Sequence, residues 1–197
     1  MPNTLIDLIR HGEPEGGRAY RGNTIDDPLS NKGWQQMWDA VGNTSPWQSI
    51  ISSPMQRCHA FATALAEKNG LTISVNKNFR EIGFGEWEGR TPQEIKSTNL
   101  QQYTAFYQDP VNARPPGAEP LGNFISRVTS SYEQLISTYK GKHILIVAHA
   151  GVIRAIIAHA LNAPAESMYR MKINNGGISR IIYNDIAVQL ELLNGKL

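Results

Sequence analysis

The stretch Leu5–Pro14, LIDLIRHGEP, decides how the rest of the chain is read. LIDLI is a short run of strand formers, and it ends in an arginine and a histidine standing side by side before Gly12. A buried strand gains nothing from two cationic side chains at its end, because removing charge from water is costly without a partner. Either Arg10 and His11 lie in solvent, or they are aimed at an anion.

Further along, QSIISS at 48–53, LTISV at 71–75, HILIVAH at 143–149 and ISRIIY at 178–183 are β-rich runs alternating with helical patterns. Strands separated by helices predict an α/β fold with a mostly parallel sheet. Ser30 is a cap for a helix through Trp34, Met37, Trp38 and Val41. Ser53 followed by Pro54 predicts a second helix start, and Thr91, Pro92 and Glu94 form a capping box with proline at the first helical position. Apolar residues from Leu121 to Tyr139 recur every three or four positions, the stripe of an amphipathic helix facing a core. The last two runs, ISRIIY and IAVQLELL, are separated only by Asn184 and Asp185, which predicts a hairpin that gives the sheet an antiparallel edge. The segment DPVNARPPGAEP, 109–120, reads as a surface loop near the strand ends.

With 197 residues, the chain reads as one domain, 1–197, with a substrate-covering region around 91–120. A net charge of +2, with Lys and Arg spread along the chain, argues against nucleic acid as a partner, and no apolar run reaches the length of a membrane span. Without a secretory leader pattern at Met1–Arg10, a cytoplasmic location is expected. The single cysteine, Cys58, reads as helix packing, and a homodimer is compatible with the chain.

In open α/β sheets ligands bind at the carboxyl ends of strands. Arg10 and His11 end the first strand, Arg57 lies one turn into the helix after SSP, and His149 ends HILIVAH just before a helix whose first N–H groups are unpaired. Two arginines, two histidines and a helix N-terminus make a dianion site by composition, and phosphate is the natural dianion.

The motifs LIRHG, RGNTIDDPLSNKG, SSPMQR, REIGFGEWEG and VAHAGVIR, in this order, resemble the histidine phosphatase superfamily, which includes the cofactor-dependent phosphoglycerate mutases. The resemblance implies a three-layer α/β/α sandwich, a phosphohistidine intermediate and no metal or other cofactor. It implies His11 as nucleophile, Arg10, Arg57 and His149 as the pocket for the phosphoryl oxygens, with Asn23 and Arg21 of the RGNT loop beside them, and Glu81 as proton donor. Glu13 and Asp27 are second-choice acids, while Glu86 and Glu88 are expected to be exposed.

Two positions depart from the family. Gly17 stands where many members carry an asparagine six residues after the nucleophile, and Arg21 replaces a hydroxyl residue, adding a cation that could take a second anionic group. The 67 residues between Glu81 and His149 hold no long basic insertion, which favours a phosphatase over a mutase. RHGEPEGG, the RGNT loop and PPGAE look most like the α-ribazole-5′-phosphate phosphatase branch of cobalamin nucleotide-loop assembly. The implied partner is then a small phosphate ester with an aromatic base, for which Tyr20, Trp87, Tyr103, Phe106 and Tyr107 are candidate stacking residues.

Other chemistries fit less well. A cysteine phosphatase needs arginine six residues after its nucleophile, where this chain has Ala64; the histidines at 11, 59, 143, 149 and 159 form no metal-ligand pair, and no phosphate-binding P-loop occurs. Broad-specificity phosphatase action, mutase-type phosphoryl transfer and a non-catalytic phospho-ligand module remain as alternatives.

Overall fold

The computed structural model describes residues 2–197. Six strands form one sheet in the order β3-β2-β4-β1-β5-β6. They are β1 (Thr4–Arg10), β2 (Ser49–Ser52), β3 (Thr72–Val75), β4 (His143–Ala148), β5 (Ile178–Tyr183) and β6 (Val188–Gly195). β1, β2, β3 and β4 pair in parallel, while β5 is antiparallel to both β1 and β6. The hairpin loop is four residues, Asn184–Ala187, two longer than the sequence suggests. The Asn184 side chain accepts N–H bonds from Ile186 and Ala187 and so takes Ile186 out of the strand.

Alternation along the central strands makes the three layers. Ile6 and Leu8 of β1, with Ile144 and Ile146 of β4, pack on one face against α5 (Leu121–Thr138) and α6 (Ala150–Ala160). Ile9, Leu145 and Val147 face the other way, onto α1 (Asn31–Val41) and α2 (Gln56–Asn69). Both faces of the parallel core are therefore covered, as such strands require.

The helix starts at Ser30 and Thr91 are where the residues predict. Ser30 Oγ accepts from Gly33 N, and Thr91 and Glu94 bond reciprocally at the head of α3 (Pro92–Thr98). The start assigned to Ser53 is wrong: α2 begins at Gln56, with Met55 before it and no side-chain cap. The Ser53 hydroxyl is engaged elsewhere, as described below. α3, α4 (Leu100–Gln108) and the turn at Gly85–Trp87 enclose a small cluster of their own, Trp87, Ile95 and Phe106, apart from the two main cores.

Gly12 and Gly33 meet at the junction of β1 and α1. A Cβ on Gly12 would lie 2.0 Å from the Gly33 carbonyl oxygen, and one on Gly33 would lie 2.1 Å from that of Glu13. Backbone against backbone leaves no room for a side chain at either position, so the loop after the first strand is fixed against the helix head.

Candidate active site

A cavity of about 500 Å³ opens over the carboxyl ends of the strands, and Arg10, His11, Arg57 and Glu81 line it. Strand β1 ends on Arg10, with His11 the next residue, α2 delivers Arg57, and Glu81 comes from the loop before Gly85. The segment after the Ala165–Arg170 turn, unnoticed in the sequence, completes the frame. Asn175 Nδ2 donates to the His11 carbonyl at 3.1 Å, and the Arg10 backbone exchanges bonds with Gly176 and Gly177.

The nucleophile candidate has a defined proton. His11 Nδ1 lies 2.8 Å from the Gly12 carbonyl oxygen, which can only accept, so Nδ1 carries the hydrogen and Nε2 keeps its lone pair. Burial, followed by the charges of Arg10 and Arg57, holds the His11 pKa well below its ordinary value, so the ring is neutral.

Arg57 is buried and Arg10 partly so, and neither guanidinium is fully used. Arg57 donates to the carbonyls of Ile25 and Gly22 at 2.9 and 3.1 Å, with Asp26 at 3.8 Å, and Arg10 donates to Ile173 O at 2.7 Å. The Nε of each is buried without a partner. Burial brings the Arg10 pKa down to about 10; Glu81 pulls the other way, and Arg154 and Arg57 add to the drop. Buried cations with unsatisfied donors are stabilised by an anion.

His149 caps α6 at the end of β4, and its ring centroid is 5.1 Å from that of His11, at 65°. The ring is wholly buried and does not line the cavity, because Nε2 is bonded to Ser53 Oγ at 2.7 Å. It packs against the ring of His11, and Cys58 Sγ lies 3.6 Å from Nε2 and 3.8 Å from Nδ1.

Glu81 lines the cavity and is held there by backbone donors. Its carboxylate accepts from Ile82 N at 3.0 Å and Gly151 N at 3.2 Å. The N–H group of the α6 head expected to face an anion is thus taken, at Gly151, by the protein's own acid.

Arg21 lines the cavity but is paired with Asp27 at 2.8 Å, so it brings less free charge than the sequence suggests. Asn23 is not part of the cavity; its amide lies beside Gly83, because the Glu88 carboxylate holds the backbone N–H groups of Asn23 and Thr24. Glu88, expected in solvent, is therefore the anchor of the RGNT loop, with a further bond to Phe84 N at 2.8 Å. Glu13 lines the cavity and pairs with Lys32 at 3.0 Å. Of the aromatic candidates, only Tyr20 and Tyr107 reach the cavity, joined by a hydroxyl–hydroxyl bond of 2.7 Å; Trp87 and Phe106 are core. Arg18, Arg154 and Lys172 also line it; the sequence assigned none of them a role, although Arg154 ends the motif VAHAGVIR. Among the described residues, no group of His, Cys, Asp and Glu could hold a metal ion.

An imidazole with a free nitrogen beside two under-satisfied guanidiniums, at the strand ends of an α/β/α sandwich, is the composition of a phosphoryl-binding site. The chain belongs to the histidine phosphatase superfamily (branch 1), whose family model matches residues 6–196. It is 28% identical to the adenosylcobalamin/alpha-ribazole phosphatase of Salmonella typhimurium, over 96% of this chain and 95% of that one. The crystal structure of the alpha-ribazole phosphatase from Shigella flexneri superposes with a TM-score of 0.83 at 28% identity, covering 97% and 96% of the two chains. A bifunctional protein of Mycobacterium tuberculosis is 29% identical over 97% of this chain but 54% of its own length, so the chain spans about half of that relative.

Proposed function

We propose that the protein is a phosphomonoesterase working through a phosphohistidine. The observation that carries this reading is the free Nε2 of His11, fixed by the Nδ1–H bond to Gly12 O and facing a cavity shared with Arg10 and Arg57. The phosphoryl oxygens take the donors of the two guanidiniums, which spread positive charge where the transition state is most negative. Nε2 attacks phosphorus in line as the ester P–O bond breaks, and Glu81 in its acid form supplies the proton that releases the alcohol. The Glu81 carboxylate then takes a proton from water, whose oxygen attacks the phosphohistidine and frees inorganic phosphate and His11. The acid stands on the cavity wall for both half-reactions, and the 91–120 region covers the leaving group through Pro92 and Tyr107.

α-Ribazole 5′-phosphate is the first substrate to examine, supported by the names of the Salmonella and Shigella relatives and by Tyr20 and Tyr107, against which an aromatic base can lie. A second reading rests on Arg18 and Lys172, which have no carboxylate partner among the described residues, and on Arg154, bonded only to Met171 O at 2.8 Å. These surplus cations suit an ester whose leaving group bears another negative charge.

Incubation with p-nitrophenyl phosphate, α-ribazole 5′-phosphate and 3-phosphoglycerate tests both readings. Hydrolysis with an acid-labile phosphoenzyme, lost in His11→Ala together with about 10⁴-fold of the rate, is expected. Phosphate-ester binding with neither signal would make the protein a capture module. Preference for the doubly anionic ester would move the substrate from the ribazole ester to the second class.

A further inference from the structure

The loop that carries Glu81 has no regular structure of its own between Phe79 and Gly85, yet one ion pair holds its backbone on both sides of the acid. Arg127, on α5, meets Glu119 as a fork, Nε to Oε1 at 2.8 Å and Nη2 to Oε2 at 2.9 Å. Its remaining N–H groups reach the same stretch of chain. Nη1 donates to Asn78 O at 2.5 Å and to Arg80 O at 3.0 Å, and Nη2 donates to Glu81 O at 3.1 Å. All five donors of this guanidinium are therefore used, the reverse of Arg10 and Arg57.

Beyond Glu81, Gly83 N donates to Glu119 Oε2 at 3.1 Å, and Glu119 N returns a bond to Gly83 O at the same distance. Arg114 adds a bond to Gly83 O at 3.0 Å and one to Glu119 O at 3.1 Å. Gly83 lies flat against this frame, since a Cβ there would come 3.3 Å from that of Glu119. The two side chains of the pair are only 23% and 18% exposed, so water competes weakly for their bonds. What the bonds share is the segment they hold: the carbonyls of residues 78, 80 and 81 and both backbone polar groups of Gly83. The Glu81 carboxyl itself is left to Ile82 N and Gly151 N at the cavity wall.

We infer that Glu119 and Arg127 are positioning residues for Glu81: their fork fixes the backbone on both sides of the acid, so that its carboxyl stays on the cavity wall within reach of the leaving oxygen. This rests on the phosphomonoesterase reading, in which Glu81 protonates the departing alcohol. Neither Glu119 nor Arg127 lines the cavity over the strand ends, so neither meets the substrate there. A general acid contributes about 10²–10⁴-fold when its proton lies at hydrogen-bond distance from the oxygen. A misplacement of about 1 Å removes about 100-fold. The acid matters most to an alkoxide that leaves poorly and least to a phenolate that is stable without a proton. Displacement of Glu81 therefore leaves a kinetic mark that general loosening of the fold does not.

The experiment measures kcat/KM, which covers the steps up to the phosphohistidine, on the full chain with 2,4-dinitrophenyl phosphate, phenyl phosphate and a primary alkyl phosphate. Glu119→Ala is expected to lower it about 100-fold for the phenyl and alkyl esters and less than about 3-fold for the dinitrophenyl ester. Glu119→Gln, which keeps an acceptor for Gly83 N, is expected to recover most of that loss. Arg127→Lys keeps the charge without the fork and is expected to give the same pattern at about 10-fold. An equal fall on all three esters, or none, overturns the inference and leaves the pair a purely structural contact; should Glu119→Ala not fold, Arg127→Lys decides. Glu81→Gln keeps the two failures apart. If Glu81→Gln slows all three esters equally, Glu81 is not the acid, and the inference falls with that reading. A steep dependence on the leaving group in Glu81→Gln, absent from the Glu119 and Arg127 variants, sinks the positioning role alone.

Discussion

Strand β1 carries two buried polar clusters three residues apart, and they are opposites. Asp7 is fully enclosed and fully partnered: Arg180 grips it at 2.7 and 3.0 Å, His143 Nε2 at 2.9 Å and Trp47 Nε1 at 2.8 Å. Around Arg10 the balance is reversed, since Arg10 and Arg57 share the cavity with His11 and each has a buried Nε that bonds to nothing. A satisfied cluster is a finished piece of structure. An unsatisfied one is held in place by the fold around it and waits for a ligand.

Breaking the first cluster should cost stability and spare activity. Asp7→Asn leaves Arg180 and His143 facing a neutral amide and should lower unfolding free energy by about 3 kcal/mol, measured by urea denaturation, with kcat per folded molecule unchanged. A fall in kcat instead would show that the two clusters are coupled.

Breaking the second should do the reverse. Arg57→Lys keeps the charge but removes the fork, and kcat/KM for a phosphate ester should fall about 100-fold while the denaturation midpoint stays near the wild type. Equal loss of stability would mean that Arg57 chiefly ties down the Gly22–Ile25 loop, whose carbonyls it already holds.

Acid separates the clusters further. Burial opposes ionisation of Asp7, but its bonds from His143, Arg180 and Trp47 prevail and lower its pKa below the ordinary 3.8. Its contribution to stability is therefore complete above 3.8 and is lost as pH falls through the lower folded value. His11 and His149 titrate below 6.5 in the fold, so unfolding takes up protons and stability weakens as pH drops beneath 6.5, well before Asp7 responds. Denaturation followed from pH 7 to 3 should show the histidine loss first; a ring of His11 titrating above 6.5 by NMR would contradict this order.

The smallest effect belongs to the mouth. Tyr107→Phe removes the bond to Tyr20 from a half-exposed position and should change kcat/KM less than about 3-fold, consistent with a hydrogen bond worth about 0.5 kcal/mol. A larger change confined to esters with aromatic leaving groups would instead identify the pair as a specificity wall.

Much of the architecture was legible because it is local. Runs such as HILIVAH and the Leu121–Tyr139 stripe carry their period on their face, and Ser30 and Thr91 cap where their neighbours say they should. What escaped depends on contacts between distant residues. Ser53 has the sequence of a helix cap, yet its partner is 96 positions away; Glu88 looks solvent-bound, yet it closes a loop 64 and 65 positions back. Asn23 sits in the expected motif, but its amide lies beside Gly83, away from the cavity lining. Nothing in KINNGG suggested that Asn175 would brace His11 from behind; the paired glycines, which let the chain turn there, were the only local sign.

The order of strands across the sheet has a consequence for how the molecule is made. β1 is synthesised ahead of the other strands, yet it ends up between β4 and β5, and the Arg10 backbone is not clasped until Gly176 and Gly177 have left the ribosome. Such long-range pairing slows folding. During translation the first strand stays without a neighbour until β4, at His143–Ala148, has been made, and an apolar strand edge left unpaired for that long is exposed to aggregation.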